Sequence, residues 1–466
     1  MKRLMVPVMV LLMITGGCGP KQPEGKAKTT FTGAPGEVRL ITLDPGHFHA
    51  ALVQKAMYPQ IDPVVHVYAP PANDVMEHLA RIEGFNSRSD NPTHWKEEVY
   101  TGTDFLEKMV AEKPGNLVVL AGNNGRKTEY ILTAVKEGLN VLSDKPMVIT
   151  PGGFPMLEEA FAVAGEKGVL LYDIMTERYE ITTILQRELS QNREVFGELL
   201  PGTPEEPSIT KESVHHFSKM VSGSPLRRPV WYFDTSQQGE GIVDVTTHLV
   251  DLIQWEAFPE VSLKKEDVEL INARRWSTGL TSEQFAGVTG LEEVPDFLQK
   301  NVKEGILQVF SNGEFNYRLK GVHARVSVVW NYSAPEGAGD THYSIMRGSR
   351  CNLVIRQGAV ENYLPVLYIE PAAGEDAAAF GTLLASAVDE KLAAAWPGVK
   401  LVPAGENRWS LEIPAEYKVG HEAHFSQVME KYLGFLVKGE MPEWELPNML
   451  VKYYTTTEAL KLASGK

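Results

Sequence analysis

Between Val38 and Tyr172, short apolar runs alternate with stretches of helical periodicity. The strand-like runs are Val38–Leu43, Val64–Tyr68, Leu117–Leu120, Asn140–Leu142 and Val169–Tyr172. Helical patterns fall between them at Ala50–Tyr58, Thr103–Glu112 and Lys127–Glu137, the last closed by Gly138. Such alternation predicts a parallel sheet with helices on its faces, and residues that bind ligand then sit just after each strand. Beyond Arg178 the texture changes. Alternating stretches at Glu314–Leu319, Ala324–Tyr332, His342–Met346 and Asn352–Arg356 predict an antiparallel sheet with one covered face. Helices are expected at Gly241–Trp255, Asp376–Ala395, His421–Val437 and Asn448–Leu462. The fold class is therefore an α/β domain with a parallel sheet over residues 37–178, followed by an α+β domain with a large, mostly antiparallel sheet over residues 179–466.

The chain begins with a targeting pattern. Lys2 and Arg3 precede the apolar run Leu4–Ile14, which is too short to span a membrane and suits a signal peptide. Thr15-Gly16-Gly17-Cys18 resembles the cleavage box of bacterial lipoproteins, which makes residues 1–17 the signal peptide and Cys18 the lipidation site. An ordinary secretory signal with an incidental cysteine is the alternative. Residues 18–36, rich in Gly, Pro, Lys and Thr, read as a flexible tether. The expected location is outside the cytoplasm, in the periplasm or at the cell surface, with the membrane met only through the lipid. A net charge of −15 disfavours nucleic acid as a partner. The one cysteine besides Cys18 is Cys351, in a strand-like run, so no intramolecular disulfide is available to the processed chain.

Two short motifs carry the chemistry. Ser143-Asp144-Lys145-Pro146 follows a strand of the parallel sheet. Gly239 to Leu252 contains Asp244 and His248, four apart and so on one face of a helix. A carboxylate beside an imidazole orients it and raises its proton affinity, which suits a general base at a hydroxyl. A lysine from the other domain would stabilise negative charge on the same oxygen. Taken alone, each pattern is more often structural.

Taken together and in order, they resemble the Gfo/Idh/MocA family, which includes glucose–fructose oxidoreductase and inositol dehydrogenase. Asp144-Lys145-Pro146 resembles the family's Glu-Lys-Pro, and Asp244 with His248 its Asp-x-x-x-His. Val118 to Asn124 is similar to the strand and polar turn on the nicotinamide side, which brings in Asn123 and Asn124. Arg178 matches a basic residue common there. The resemblance implies His248 as base or acid, Asp244 as its orienting group, and Lys145 at both the reacting oxygen and the cofactor ribose. It also implies that residues 37–178 are a Rossmann dinucleotide-binding domain, a cofactor of NAD or NADP, which an exported enzyme must hold tightly because no free nicotinamide pool surrounds it, and a possible homo-oligomer.

One stretch departs from the family. Where the glycine fingerprint belongs, the chain reads Asp44-Pro45-Gly46-His47-Phe48-His49. Gly46 is expected to admit the pyrophosphate, with Asp44, His47, Phe48 and His49 as further cofactor contacts. The second strand ends Val67-Tyr68-Ala69-Pro70-Pro71 with neither an acid nor an arginine for the ribose, so NAD and NADP are not distinguished. Glu83–Trp95 reads as an extended polar connection, either a clamp or a surface elaboration. Arg178, His215, Trp231, His421 and His424 are candidate substrate contacts. His421 and His424 have metal-compatible spacing, but no third ligand is evident, and no metal site is expected.

Three functions follow. The first is an exported, lipid-anchored oxidoreductase moving hydride between bound NAD(P) and a secondary hydroxyl or ketone of a sugar, glycoside or cyclitol. The second is a redox-neutral glycoside hydrolase or lyase that oxidises its substrate transiently. The third is a catalytically dead carbohydrate-binding lipoprotein on the same scaffold.

Overall fold

A computed structural model describes residues 31–221 and 224–465. Cys18, expected as a lipidation site, and residues 1–17, expected as a signal peptide, lie outside the described residues. Six parallel strands, β1 (Leu40–Leu43), β2 (Val64–Ala69), β3 (Lys96–Thr101), β4 (Leu117–Leu120), β5 (Asn140–Asp144) and β6 (Leu171–Ile174), lie in the order β3-β2-β1-β4-β5-β6. Every residue of β1, β4 and β5 is buried, as expected of strands covered on both faces. Ile41 of β1 pairs with His66 of β2 on one side and Val118 of β4 on the other. The strand order therefore reverses between β1 and β4, where a doubly wound sheet opens its crevice.

Helices α1 (His49–Leu52), α2 (Asn73–Ser87), α3 (Phe105–Glu112), α4 (Lys127–Lys136), α5 (Phe154–Lys167) and α6 (Ile181–Ser190) connect or follow these strands. α1 is much shorter than the expected Ala50–Tyr58. After Leu52 the chain tightens into i→i−3 bonds, Gln54 N–H to Ala51 O and Lys55 N–H to Leu52 O. Glu83–Ser87 proves to be the end of α2, and the polar residues after it are tied to the first domain. Asn86 Oδ1 accepts from Thr93 Oγ1 and from Trp95 N, while Trp95 Nε1 donates to Gln54 O at 2.6 Å.

The second sheet has ten strands. Its path runs Val268–Leu280, Ile306–Leu319, Val322–Ser333, β7 (Ile209–Ser218), Thr341–Arg347, Cys351–Gln357, Val366–Pro371, Arg408–Glu412 and Lys400–Gly405. β7 runs parallel to Val322–Ser333, and the other pairings are antiparallel. Cys351 is fully buried in this sheet's core. Helix α7 (Thr246–Ala257) starts later than expected. Gly241 lies against the sheet, its N–H bonded to Phe310 O, and a Cβ there would fall 1.7 Å from Ser311 O. That contact holds residues 241–245 out of the helix.

Of the two late helices, His421–Lys438 follows the second sheet in sequence but packs on the first, whereas Glu445–Ala463 lies across both, against the first core and against Val268–Leu280 and α7. Phe425, Tyr432, Leu436 and Tyr453 join the first core, and Tyr432 Oη donates to Leu170 O at 2.9 Å. They carry the cleft's far wall back to the ends of β5 and β6. Among the described residues, no helix is long and apolar enough to cross a membrane.

Candidate active site

The ends of β1, β4 and β5, the start of α7, β7 and the N-terminus of the helix His421–Lys438 enclose a cavity of about 740 Å³. That volume suits a small organic ligand. Lys145, at the end of β5, extends Nζ to Asp244 Oδ1 at 2.5 Å. Asp244 Oδ2 accepts from Gln238 Nε2 at 3.0 Å. Burial works against the Lys145 charge, but Asp244 and then Asp144 outweigh it and hold its pKa above the ordinary lysine value.

His248 lines the same cavity, one turn into α7, and its buried Nδ1 has no partner among the described residues. Burial, followed by the Lys145 charge, keeps its pKa well below the usual histidine value, so the imidazole is neutral and able to accept a proton. The expected Asp244–His248 pairing does not form. Asp244 precedes the helix and turns to Lys145, because the Gly241 contact keeps that segment non-helical.

The loop after β1 also differs from expectation. The N–H groups of Gly46 and His47 both donate to Ala121 O, at 3.3 and 3.1 Å. A Cβ on Gly122 would lie 2.1 Å from Asp44 O, and one on Gly46 would lie 2.9 Å from Asp74 Oδ2 and 3.2 Å from the Trp231 ring. These glycines let the chain pack on itself, so the expected pyrophosphate cradle at Gly46 is not built. Asp44 accepts a hydrogen bond from Tyr130 Oη at 3.0 Å, and it does not line the cavity. His47, Phe48 and His49 do line it. His49 Nδ1 lies 2.9 Å and His47 Nδ1 3.9 Å from Asp144 Oδ2. Burial holds both imidazoles well below the ordinary histidine pKa.

Asn123 and Asn124 hold the turn that leads to Asp244. Asn123 Nδ2 donates to Gln237 Oε1 at 2.6 Å, and Asn124 Nδ2 donates to Gln238 O at 2.7 Å. Of the two, Asn124 faces the cavity.

The candidate substrate residues divide. His215 lines the cavity, stacked on Trp330 with ring centroids 5.0 Å apart. The alternation expected of adjacent strand residues would part it from His216. Even so, Asp340 meets both, with Oδ1 at 2.9 Å from His216 Nδ1 and Oδ2 at 3.4 Å from His215 Nδ1. His421 lines the cavity with Nε2 at 3.2 Å from Thr176 Oγ1. His424 is buried behind it, outside the cavity, and neither ring nitrogen has a partner among the described residues. Trp231 also lies outside the lining, where its Nε1 donates to Asp74 Oδ2 at 2.6 Å.

Arg178 is not a substrate contact. Its guanidinium is buried and divided between Asp251, at 2.6 and 2.7 Å, and Glu445 at 2.9 Å. Lys452 bridges Asp251 and Asp173 at 2.8 and 2.6 Å. This network fastens β6, α7 and the last helix together. Sequence reasoning missed Arg228 and Tyr232. Arg228 is buried over the Tyr232 and Trp330 rings, and these three form an aromatic, cationic wall opposite Lys145. Arg227-Arg228 beside Trp231-Tyr232 was the available signal.

Residues 185–464 match the family model described as "Putative oxidoreductase C terminal domain". The chain is 59% identical to the crystal structure of "a putative oxidoreductase from Parabacteroides merdae ATCC 43184", with a TM-score of 0.92 over 94% of this chain and 99% of that one. A levoglucosan dehydrogenase in complex with NADH and levoglucosan shares the fold at 13% identity, with a TM-score of 0.57 over 92% of this chain and 97% of that one. So does a 3-ketoreductase from Actinomadura kijaniata in complex with NADP and TDP-benzene, at 13% identity and a TM-score of 0.55 over 92% and 97% of the two chains. Among curated proteins none is similar enough to count as a match. The chain belongs to this oxidoreductase family, which is of the Gfo/Idh/MocA type.

Proposed function

We propose that this oxidoreductase interconverts a secondary hydroxyl and a ketone on a sugar, glycoside or cyclitol, using bound NAD or NADP. One observation carries the reading. Lys145 from the end of β5 and His248 from α7 line the same cavity, with Lys145 fixed by Asp244 from the turn that leads into α7. A neutral imidazole there takes the hydroxyl proton as the carbon gives up its hydride. The Lys145 ammonium donates to the oxygen and stabilises the negative charge that builds on it. In the reverse direction both proton movements reverse. Arg228, Tyr232 and Trp330 line the cavity and give a sugar ring an aromatic, cationic wall to pack against.

What NAD(P) supplies when bound is a hydride acceptor, or in reverse a donor. It fits this site at its nicotinamide end. Asn124, whose buried Oδ1 has no partner among the described residues, and Lys145 would hold it there. With the Gly46 and His47 N–H groups already bonded to Ala121, phosphate recognition falls to side chains. The levoglucosan dehydrogenase and the 3-ketoreductase were each solved with such a dinucleotide, which supports the assignment. Residues 1–18 support an exported, lipid-anchored protein, which would keep its cofactor in place outside the cytoplasm.

The test is turnover of a panel of glycosides and cyclitols with an artificial electron acceptor. His248→Ala is expected to lose about 10²–10⁴-fold in kcat with little change in ligand affinity. Turnover that survives this change would remove His248 from the reaction.

A further inference from the structure

We propose that His47, His49 and Asp144 form a mononuclear site for a divalent transition ion of the zinc class, open to the cavity on its remaining side. One ligand atom from each residue lies within 4.8 Å of the others. Donors held about 2.0–2.1 Å from a tetrahedral ion are about 3.3 Å apart, so the observed 2.9 and 3.9 Å separations bracket what an ion requires. Two imidazole nitrogens aim at one carboxylate oxygen. Only His49 reaches hydrogen-bond distance of it, while the contact given for His47 Nδ1 is a long 3.4 Å bond from the His49 N–H. A simple His–Asp pair needs the first imidazole and leaves the second without a purpose.

The backbone is already set for this arrangement. Ala121 O pins the loop through Gly46 and His47, and Lys127 Nζ fixes the Asp144 carbonyl at 3.1 Å. The His49 ring is held by Phe425, tilted against it with centroids 4.6 Å apart. Two imidazoles and one carboxylate with an open side form the donor set of zinc, iron(II), cobalt(II), nickel(II) or manganese(II). The nearby Lys145 charge is met by Asp244. The metal site itself is independent of the redox reading. That the ion's open side takes the substrate's hydroxyl or keto oxygen rests on it.

Tag-free protein purified without chelator, then dialysed, would be measured for metal by mass spectrometry, and the stripped protein titrated with Zn²⁺ and Co²⁺. About one equivalent per chain is expected, with a cobalt d–d spectrum of low coordination number. Losing a group that merely orients a metal ligand costs about 10–100-fold in metal affinity, so His49→Ala and Asp144→Asn should each cost about 100-fold or more. Thermal melts establish that each variant is folded. If Asp144→Asn does not fold, the half-buried His47→Ala carries the same test. No retained metal together with no saturable binding overturns the site, as does unchanged binding in His47→Ala/His49→Ala. Dinucleotide content of the same preparation is read separately, so loss of one assignment is distinguishable from loss of the other.

Discussion

The Lys145–Asp244 pair is the most consequential contact in the cavity, and it differs from the pairing expected at this position. Asp244 acts on Lys145, which makes it a positioning residue for the lysine. Removing its charge takes away the largest influence that raises the Lys145 pKa. Asp244→Asn is therefore expected to move the alkaline limb of the pH–rate profile to lower pH. Lys145→Ala is expected to cost about 10²–10³-fold in kcat, as for loss of one oxyanion donor, and to abolish that limb. An unshifted profile in Asp244→Asn would show that the pair does not set the lysine's charge. The residues themselves were legible in the sequence, because Asp-Lys-Pro after a strand and Asp-x-x-x-His are local patterns. Their pairing was not, because it depends on Gly241 lying against Ser311, a contact between segments 70 residues apart in the chain.

At the scale of elements, the first sheet could be read because β1 and β4 are nearly continuous apolar runs. β3 could not. Its Lys96-Glu97-Glu98 start is the charged composition of an edge strand. The turn between β1 and α1 decides the site's chemistry, and its packing is invisible in sequence. Asp144 joins His47 and His49 from 95 residues away, which is why no metal site was expected from local spacing. Gly122→Ala places a methyl 2.1 Å from Asp44 O, so the turn must move. A lowered melting temperature is expected, together with weakened metal binding. Arg178 is a second long-range case. Arg178→Met leaves Asp251 and Glu445 buried without their shared cation, and urea unfolding should show a loss of about 3–5 kcal/mol. A loss under about 1 kcal/mol would mean that the network contributes little to holding the late helices on the first sheet.

Across the whole molecule, buried titratable groups set the acid response. Burial lowers His78 to about 4 and His342 to about 3. Unfolded, both take up protons near pH 6.5, whereas folded they stay neutral until those lower values. The unfolded chain therefore binds more protons in this window, and stability falls as pH drops below about 6.5. Glu97 acts in the opposite sense. Burial raises it to about 7, so the folded chain holds an extra proton between about 4.5 and 7, and its contribution grows as pH falls through that range. It offsets one histidine down to about pH 4.5 and neither below. With His47, His49 and His248 depressed in the same sense, the melting temperature should fall as pH drops below about 6.5. Glu97→Gln should make the upper part steeper. An unchanged curve in that variant would contradict the offset.

The central claim is a redox site in the cleft where Lys145 and His248 meet. Its most direct test uses protein purified without added nucleotide, denatured, with the released small molecules identified by mass spectrometry. The account predicts NAD(H) or NADP(H) in near-stoichiometric amount, which would also name the cofactor. Absence of either, combined with no binding when both are titrated into the native protein, would contradict it.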